Sequence, residues 1–291
     1  MRPSTLDVML RRPSRRPRRL LASLLVAAVI LGVPLALRSH WEVTHTKLAT
    51  LDLTSPKITG RPLRIMQVTD VHNLPRESQR DAIVAMVREQ APDLIAVTGD
   101  LESVFTKDLA PMDDFVGDLA AIGIPVYYIP GNHENDNTRP GNTTADVVAM
   151  IEKHGGTALI NRHVTQDGPW GTLDVIGTDD YYKQRGDLPK AMEGTRPDAY
   201  HFVLTHSPQA FDALSVSTAD LAVCGHTHGG QVRLPWIGAL YAPGGGFMPR
   251  LDKGLFDAGN AKLYIDSGVG ASSPLRLNDQ SQVTLITIRH P

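Results

Sequence analysis

The sequence predicts an α/β fold in which two sheets face each other with helices on the outside, preceded by one apolar N-terminal helix. Strands and helices alternate between residues 63 and 129, and the second half is richer in strands than in helices. An uncharged, mostly apolar run from Leu20 to Leu37 precedes both. The chain has 291 residues, 42% of them hydrophobic, so it can bury one sizeable core and is read as a single domain after the leader. Its lone cysteine, Cys224, leaves no intramolecular disulfide and is read as a small buried apolar side chain.

The leader starts basic, with Arg11-Arg12-Pro13-Ser14-Arg15-Arg16-Pro17-Arg18-Arg19. The apolar run behind it would form a helix roughly 27 Å long, close to the hydrocarbon thickness of a bilayer. The expected organisation is a basic cytoplasmic segment (1–19), a transmembrane signal anchor (20–37), a connector with a first edge strand (38–60) and the domain proper (61–291). Because basic flanks stay in the cytoplasm, the domain is expected on the other side of the membrane. Ser14-Arg15-Arg16 resembles a loose twin-arginine export signal. Ala36-Leu37-Arg38 is a poor cleavage site, which favours a retained single-pass anchor. Taking the +6 of residues 1–37 from the overall −2 leaves about −8 on the rest, a balance that argues against a nucleic-acid partner.

Within the domain, Leu63 to Thr69 is a short apolar run ending at Asp70, and Ser78 to Gln90 carries Ile83, Val84 and Val87 at helical spacing. Leu94 to Thr98 is a buried strand ending at Gly99-Asp100. Asp113 to Ala121 is expected to be helical, and Pro125 to Ile129 to be a strand ending at Gly131-Asn132-His133. Further strands are expected at Leu173 to Ile176, Phe202 to Leu204, Leu221 to Val223, Gln231 to Leu234, Leu263 to Ile265 and Val283 to Ile288. Tyr241 to Asn260 shows no periodicity and reads as a long loop.

Polar groups cluster where these strands end. Asp70-Val71-His72, Gly99-Asp100, Gly131-Asn132-His133-Glu134, Thr205-His206-Ser207 and Cys224-Gly225-His226-Thr227-His228-Gly229-Gly230 each follow an apolar run. Any one could be a helix cap, a turn or a surface histidine. Together they supply Asp, Asn and His donors enough for two metal ions, a mixture suited to Mn, Fe, Zn or Co. His226 and His228, two apart, would share one face of an extended segment with Thr227 pointing away.

In this order the five motifs resemble those of the calcineurin-like metallophosphoesterases over roughly residues 63 to 230. Gly229 to Pro235, and Gly268 through Arg276, resemble the family's small membrane-anchored bacterial branch. The resemblance implies a four-layer αββα sandwich of two mixed sheets. It implies two divalent metals, one held by Asp70, His72, Asp100 and His228 and the other by Asp100, Asn132, His206 and His226. It further implies that a metal-activated hydroxide attacks a phosphomonoester, phosphodiester or pyrophosphate, with His133 orienting the phosphate and protonating the leaving oxygen.

Many relatives carry an Asp three positions after the bridging Asp, then an Arg; this chain has Ser103 and Val104. The carboxylate partner of His133 and a phosphate-contacting Arg are therefore missing from their usual places. Glu102 is the candidate substitute for the first, and Arg276 or Arg250 for the second. The departure also motivates an alternative, a metal-stabilised binding or scaffold module without catalysis. The expected partner is a phosphorylated small molecule or a lipid-linked phosphate. Members of the branch that cleave the pyrophosphate of UDP-linked diacylglucosamine provide one substrate reading, opposed by the expected topology.

Overall fold

The computed structural model describes residues 15–74, 76–270 and 275–291. The basic segment expected over residues 1–19 lies outside the described residues up to residue 14. Helix α1 (Arg15–Thr44) is longer than the expected span and contains Pro34. Its portion Ser23–Thr44 is long and apolar enough to cross a membrane. The final turn belongs to the body that follows: Ser281 N–H donates to Glu42 O (2.9 Å) and Asp279 N–H to Glu42 Oε2 (3.0 Å).

The connector contains a strand. β1 (Lys47–Thr54) forms the edge of a six-stranded sheet ordered β1-β16-β2-β3-β4-β5, with β2 (Leu63–Val68), β3 (Leu94–Thr98), β4 (Val126–Ile129), β5 (Thr157–Ala158) and β16 (Gln282–Arg289). The neighbours β2 to β5 run parallel, whereas β16 is antiparallel to β2. The second sheet is ordered β14-β15-β9-β8-β7-β6, from β6 (Arg162–Gly168), β7 (Gly171–Gly177), β8 (Tyr200–Leu204), β9 (Leu221–Cys224), β14 (Gly254–Ala258) and β15 (Ala261–Ile265). Its centre is parallel and both edges are antiparallel, so this sheet is mixed as well.

The period of two along each strand explains the layering. Leu63 and Ile65, Leu94 and Ala96, and Tyr127 and Ile129 face Phe202, Leu204, Leu221 and Val223 between the sheets. The alternate residues Met66, Val68, Ile95 and Val97 pack under α2 (Glu77–Gln90), α3 (Ala110–Ala120) and α5 (Thr144–Lys153). On the far side Val203, Ala222 and Cys224 meet Leu188 of α6 (Leu188–Ala191) and Leu214 of α7 (Phe211–Ser215). Three apolar interfaces separate four layers, giving the αββα sandwich.

Several expectations are corrected. Gln231 to Leu234 contributes only β10 (Arg233–Leu234), hairpinned to β11 (Gly238–Ala239). The stretch expected as a loop from Tyr241 to Asn260 holds the hairpin of β12 (Tyr241–Ala242) and β13 (Gly246–Phe247), then edge strand β14. These strands are short, glycine-rich and half-exposed, so they lack the apolar alternation that marks interior strands. The short α4 (Asn132–Asp136) opens at Asn132, and α5 follows Pro140-Gly141, announced by a Thr143–Asp146 capping box rather than by a long apolar stripe.

Candidate metal centre

The loops after β2, β3, β4, β8 and β9 leave the carboxyl ends of their strands and converge. Five of the seven predicted ligands, Asp70, His72, Asp100, His226 and His228, have left-handed backbone (φ 50–68°). Asp, Asn and His tolerate that region better than other non-glycine residues, yet each placement costs about 1 kcal/mol or more. The rest of the fold holds them there. Glycines allow the close approach: a Cβ on Gly225 would lie 1.9 Å from Asp70 Oδ2, and one on Gly131 2.1 Å from Asp100 Oδ1.

The donors form groups that share members. Asp70 Oδ1 is 3.8 Å from both His72 Nε2 and His228 Nε2, and those two nitrogens are 3.2 Å apart. Asp100 Oδ2 is 3.3 Å from His206 Nε2 and 3.8 Å from His72 Nε2. Asn132 Oδ1 lies 3.1 Å from His206 Nε2 and 2.7 Å from His226 Nδ1. The ligand atoms of Asp70, His72 and His228 lie within 4.8 Å of one another, as do those of Asp100, His206 and His226. Asp100 therefore stands between two sets of imidazoles.

Burial dominates the electrostatics of His72, His226, His228 and Asp70, whereas neighbouring charge wins at Asp100 and at His206, which Asp100 pushes well above the ordinary histidine range. Burial pushes His72 down to about 4 and His226 to about 3, and holds His228 well below the ordinary histidine range, so these rings are neutral donors at physiological pH. Burial also raises Asp70 to about 7. For Asp100 burial acts upward, but His206, His72 and His133 outweigh it and hold the carboxyl well below its usual range. Two neutral imidazoles meeting nitrogen to nitrogen, with a carboxylate facing both, leave converging lone pairs that a cation satisfies. This donor set fits divalent metal ions.

A further set of contacts fixes the ligands. His206 Nδ1 faces Thr98 O (2.9 Å), an acceptor only, so that nitrogen carries hydrogen and Nε2 points inward. His226 N–H donates to Asp70, and His133 N–H to Asp100 Oδ1 (2.9 Å). The buried Glu134 carboxylate accepts backbone N–H groups of Asp100 (3.0 Å), Leu101 (2.6 Å), Glu102 (3.3 Å) and Gly131 (2.8 Å), joining two ligand loops.

With this geometry in place, known proteins supply the comparison. The calcineurin-like phosphoesterase family signature matches residues 63–230. The chain belongs to that family. It is 31% identical to the phosphodiesterase YaeI of Escherichia coli over 238 residues, 80% of this chain and 84% of that one. It is 25% identical to the metallophosphoesterase YkoQ of Bacillus subtilis, covering 90% and 97% of the two chains. A Bos taurus transmembrane protein with a metallophosphoesterase domain is 27% identical over 78% of this chain and 53% of its own length. As a member of the family, the chain is a hydrolase of phosphoric ester bonds.

Within this phosphoesterase all seven predicted ligands and His133 meet in one place. The path taken by His226 and His228 differs from the extended segment expected. Thr227 N–H donates to Gly225 O and Gly230 N–H to Thr227 O, so the segment is a tight turn. His226 reaches Asn132 and His228 reaches His72 because both lie in left-handed backbone, not because alternate side chains share a face. Thr227 does point elsewhere, donating to Asp252 O (2.6 Å).

Two substitutes expected for the missing Asp and Arg are corrected. Glu102 is buried, and its Oε2 accepts from Asn137 Nδ2 (3.2 Å) instead of reaching His133. Burial beside Glu134 raises its carboxyl to about 8. The partner of His133 is main chain: Val104 N–H donates to His133 Nδ1 at 2.8 Å. An amide can only donate there, so His133 carries its hydrogen on Nε2, which lies 3.9 Å from Asp100 Oδ2.

Arg276, expected to contact substrate phosphate, is fully buried. Its guanidinium donates to the carbonyls of Ser267 (2.9 Å), Gly268 (3.2 Å) and Gly270 and to Asp279 Oδ2 (3.2 Å). One buried guanidinium thus gathers three carbonyls of the loop after β15. That loop supports Asp70, since Val269 N–H donates to Thr69 O and Gly270 N–H to Asp70 O. Sequence reasoning also missed Tyr182, whose ring lies 4.7 Å from that of His226, and the role of Glu134. The second was visible as the last residue of its motif; the first had no local signal.

Proposed function

We propose that the protein hydrolyses a phosphodiester bond using two divalent ions. One is held by Asp70, His72, Asp100 and His228, and the other by Asp100, Asn132, His206 and His226. The observation that carries this reading is the single carboxylate, Asp100, set between two groups of imidazoles. Mn, Fe, Zn and Co all suit these donors. Ions at this centre would neutralise phosphoryl oxygens and make water a competent nucleophile near neutral pH.

The remaining steps fall to the protein. Val104 N–H and the Asp100–His133 main-chain bond orient the His133 ring, and its Nε2–H is a donor for a phosphoryl or leaving oxygen. The Tyr182 ring lies against one side of His226. The phosphodiesterase relative favours diesters among the ester classes. Helix α1 anchors the domain to a membrane, with the basic leader in the cytoplasm and the domain on the opposite side.

Chelated protein reconstituted separately with Mn, Fe, Zn and Co should hydrolyse an aryl phosphodiester with at least one metal, and Asp100→Asn should reduce turnover to background. Folded, metal-loaded protein inactive with all four would defeat the reading and leave a binding module. A topology reporter fused after Pro291 should report the non-cytoplasmic side; a cytoplasmic signal reverses the orientation.

A further inference from the structure

Two short hairpins, β10–β11 and β12–β13, stand on the rim of the metal centre and carry an apolar surface that the catalytic chemistry does not use. Their inner face is rooted beside the ligand turn: a Cβ on Gly230 would lie 2.3 Å from Ala239 Cβ, and Ala239 and Ala242 are buried. The outer face exposes Trp236, Ile237, Tyr241, Phe247 and Met248, with Trp236 fully accessible. Tyr241 and Phe247 pack edge to face with centroids 5.5 Å apart, which stiffens the second hairpin. Trp236 (φ 65°) and Met248 (φ 48°) occupy left-handed positions where glycine or asparagine would fit with less strain. Trp236 stands in the turn of the first hairpin and Phe247 and Met248 at the open end of the second, large apolar groups that gain nothing from their exposure to water.

Charge distinguishes this surface from the rest of the domain. Residues 221–251 contain Arg233 and Arg250 and no Asp or Glu, in a domain whose remainder is acidic. Arg233 is paired with Asp252 (2.9 Å), while Arg250 is exposed. A cavity of about 480 Å³ lined by Gln209, Phe211, Gly244 and Arg250, with Asp212 as its one acidic residue, lies beside the hairpins. A Cβ on Gly244 would be 3.2 Å from His226 Nε2, so the cavity borders the metal centre. Exposed aromatic and aliphatic side chains with a cation at the edge match the chemistry of a bilayer interface bearing anionic headgroups.

We infer that the double hairpin docks onto an anionic lipid surface, dipping Trp236, Phe247 and Met248 among the acyl chains with Arg250 at headgroup level. The anchor proposed above would keep the domain near that surface. If the proposed phosphodiesterase activity holds, phosphoesters at the bilayer interface are its substrate class.

The test uses the full-length protein in vesicles of phosphatidylethanolamine and phosphatidylglycerol, with and without lipids brominated near the headgroup end of their acyl chains. Subtracting the emission of Trp236→Phe isolates Trp236 from Trp41 and Trp170. The expected result is loss of the Trp236 component with brominated lipid, together with shielding from aqueous acrylamide. Arg250→Glu should weaken that loss, as should replacing phosphatidylglycerol by phosphatidylcholine. A Trp236 component quenched by acrylamide but not by bromine overturns the inference. Shielding from both quenchers also overturns it, because a second copy or another protein segment then covers the surface. Turnover of a soluble aryl phosphodiester should be unchanged in Trp236→Phe and Phe247→Ser. Failure to dock is thereby separated from failure of catalysis.

Discussion

Two loops meet at the metal centre and do comparable work by different means. In the turn after β9, His226 and His228 deliver side chains that the left-handed backbone aims apart, while the His226 N–H holds Asp70 in place. In the loop after β3, Asp100 delivers a side chain but the next functional group is a main-chain amide, Val104 N–H. Relatives with an Asp at position 103 would use a side chain there. The comparison teaches that a hydrogen-bonding requirement can be met by either kind of group, and only one kind is written in residue identity.

The largest effects should break the first loop. If its two imidazoles serve different ions, His226→Ala and His228→Ala each remove one metal. The metal-to-protein ratio measured by elemental analysis should fall from about two to about one in each, with turnover near background. The double variant should bind neither ion well. If both single variants lose the same ion, as judged by the spectrum of a Co-substituted protein, the division of ligands is wrong. Removing metal from the unmodified protein with a chelator should abolish turnover reversibly.

The second loop is tested through its backbone. Val104→Pro deletes the amide hydrogen, whereas Val104→Ala keeps it. The proline variant should retain its metal and lose about 10- to 100-fold in kcat, the usual range for removing a group that orients a catalytic residue. The alanine variant should be close to unmodified. In the diamagnetic zinc form, nitrogen NMR of His133 should show hydrogen on Nε2 in the unmodified and alanine proteins and a tautomer mixture in the proline variant. Unchanged tautomers in all three would remove the amide from the argument.

These differences show what was legible in the sequence. The strands β2, β3, β4, β8 and β9 were readable because each is a short apolar run ended by a polar motif, and parallel burial on both faces makes such runs continuous. Hence the four layers and the meeting of the ligand residues could be anticipated. Strands β6 and β14 were not readable, since half-exposed edges carry little apolar pattern. Val104 N–H was not readable either, because every residue except proline has an amide and only the fold decides which one is free to donate. Arg276 misled for a related reason: an arginine near a phosphoesterase motif suggests phosphate, but five buried oxygens around it use its donors internally.

Glu134 joins the loops after β3 and β4, and its removal should produce the smallest of these effects on chemistry and a measurable one on stability. Its Oε2 accepts from Asp100 N and Gly131 N, and its Oε1 from Leu101 N and Glu102 N. Glu134→Gln preserves shape but replaces one oxygen by an NH₂ group. Whichever orientation the amide takes, two backbone donors then face a third donor. Buried donors left without acceptors cost about 1–3 kcal/mol each, with partial relief if the loop relaxes. The expected loss is about 2–4 kcal/mol in denaturant unfolding of the metal-free protein, with the m-value unchanged. Relaxation of residues 100–104 would also displace Val104 N–H from His133, so kcat should fall in the same direction as in Val104→Pro but by less. A glutamine variant as stable as the unmodified protein would show that the two loops hold their positions without this carboxylate, and the contrast between side-chain and main-chain delivery would then rest on Val104 alone.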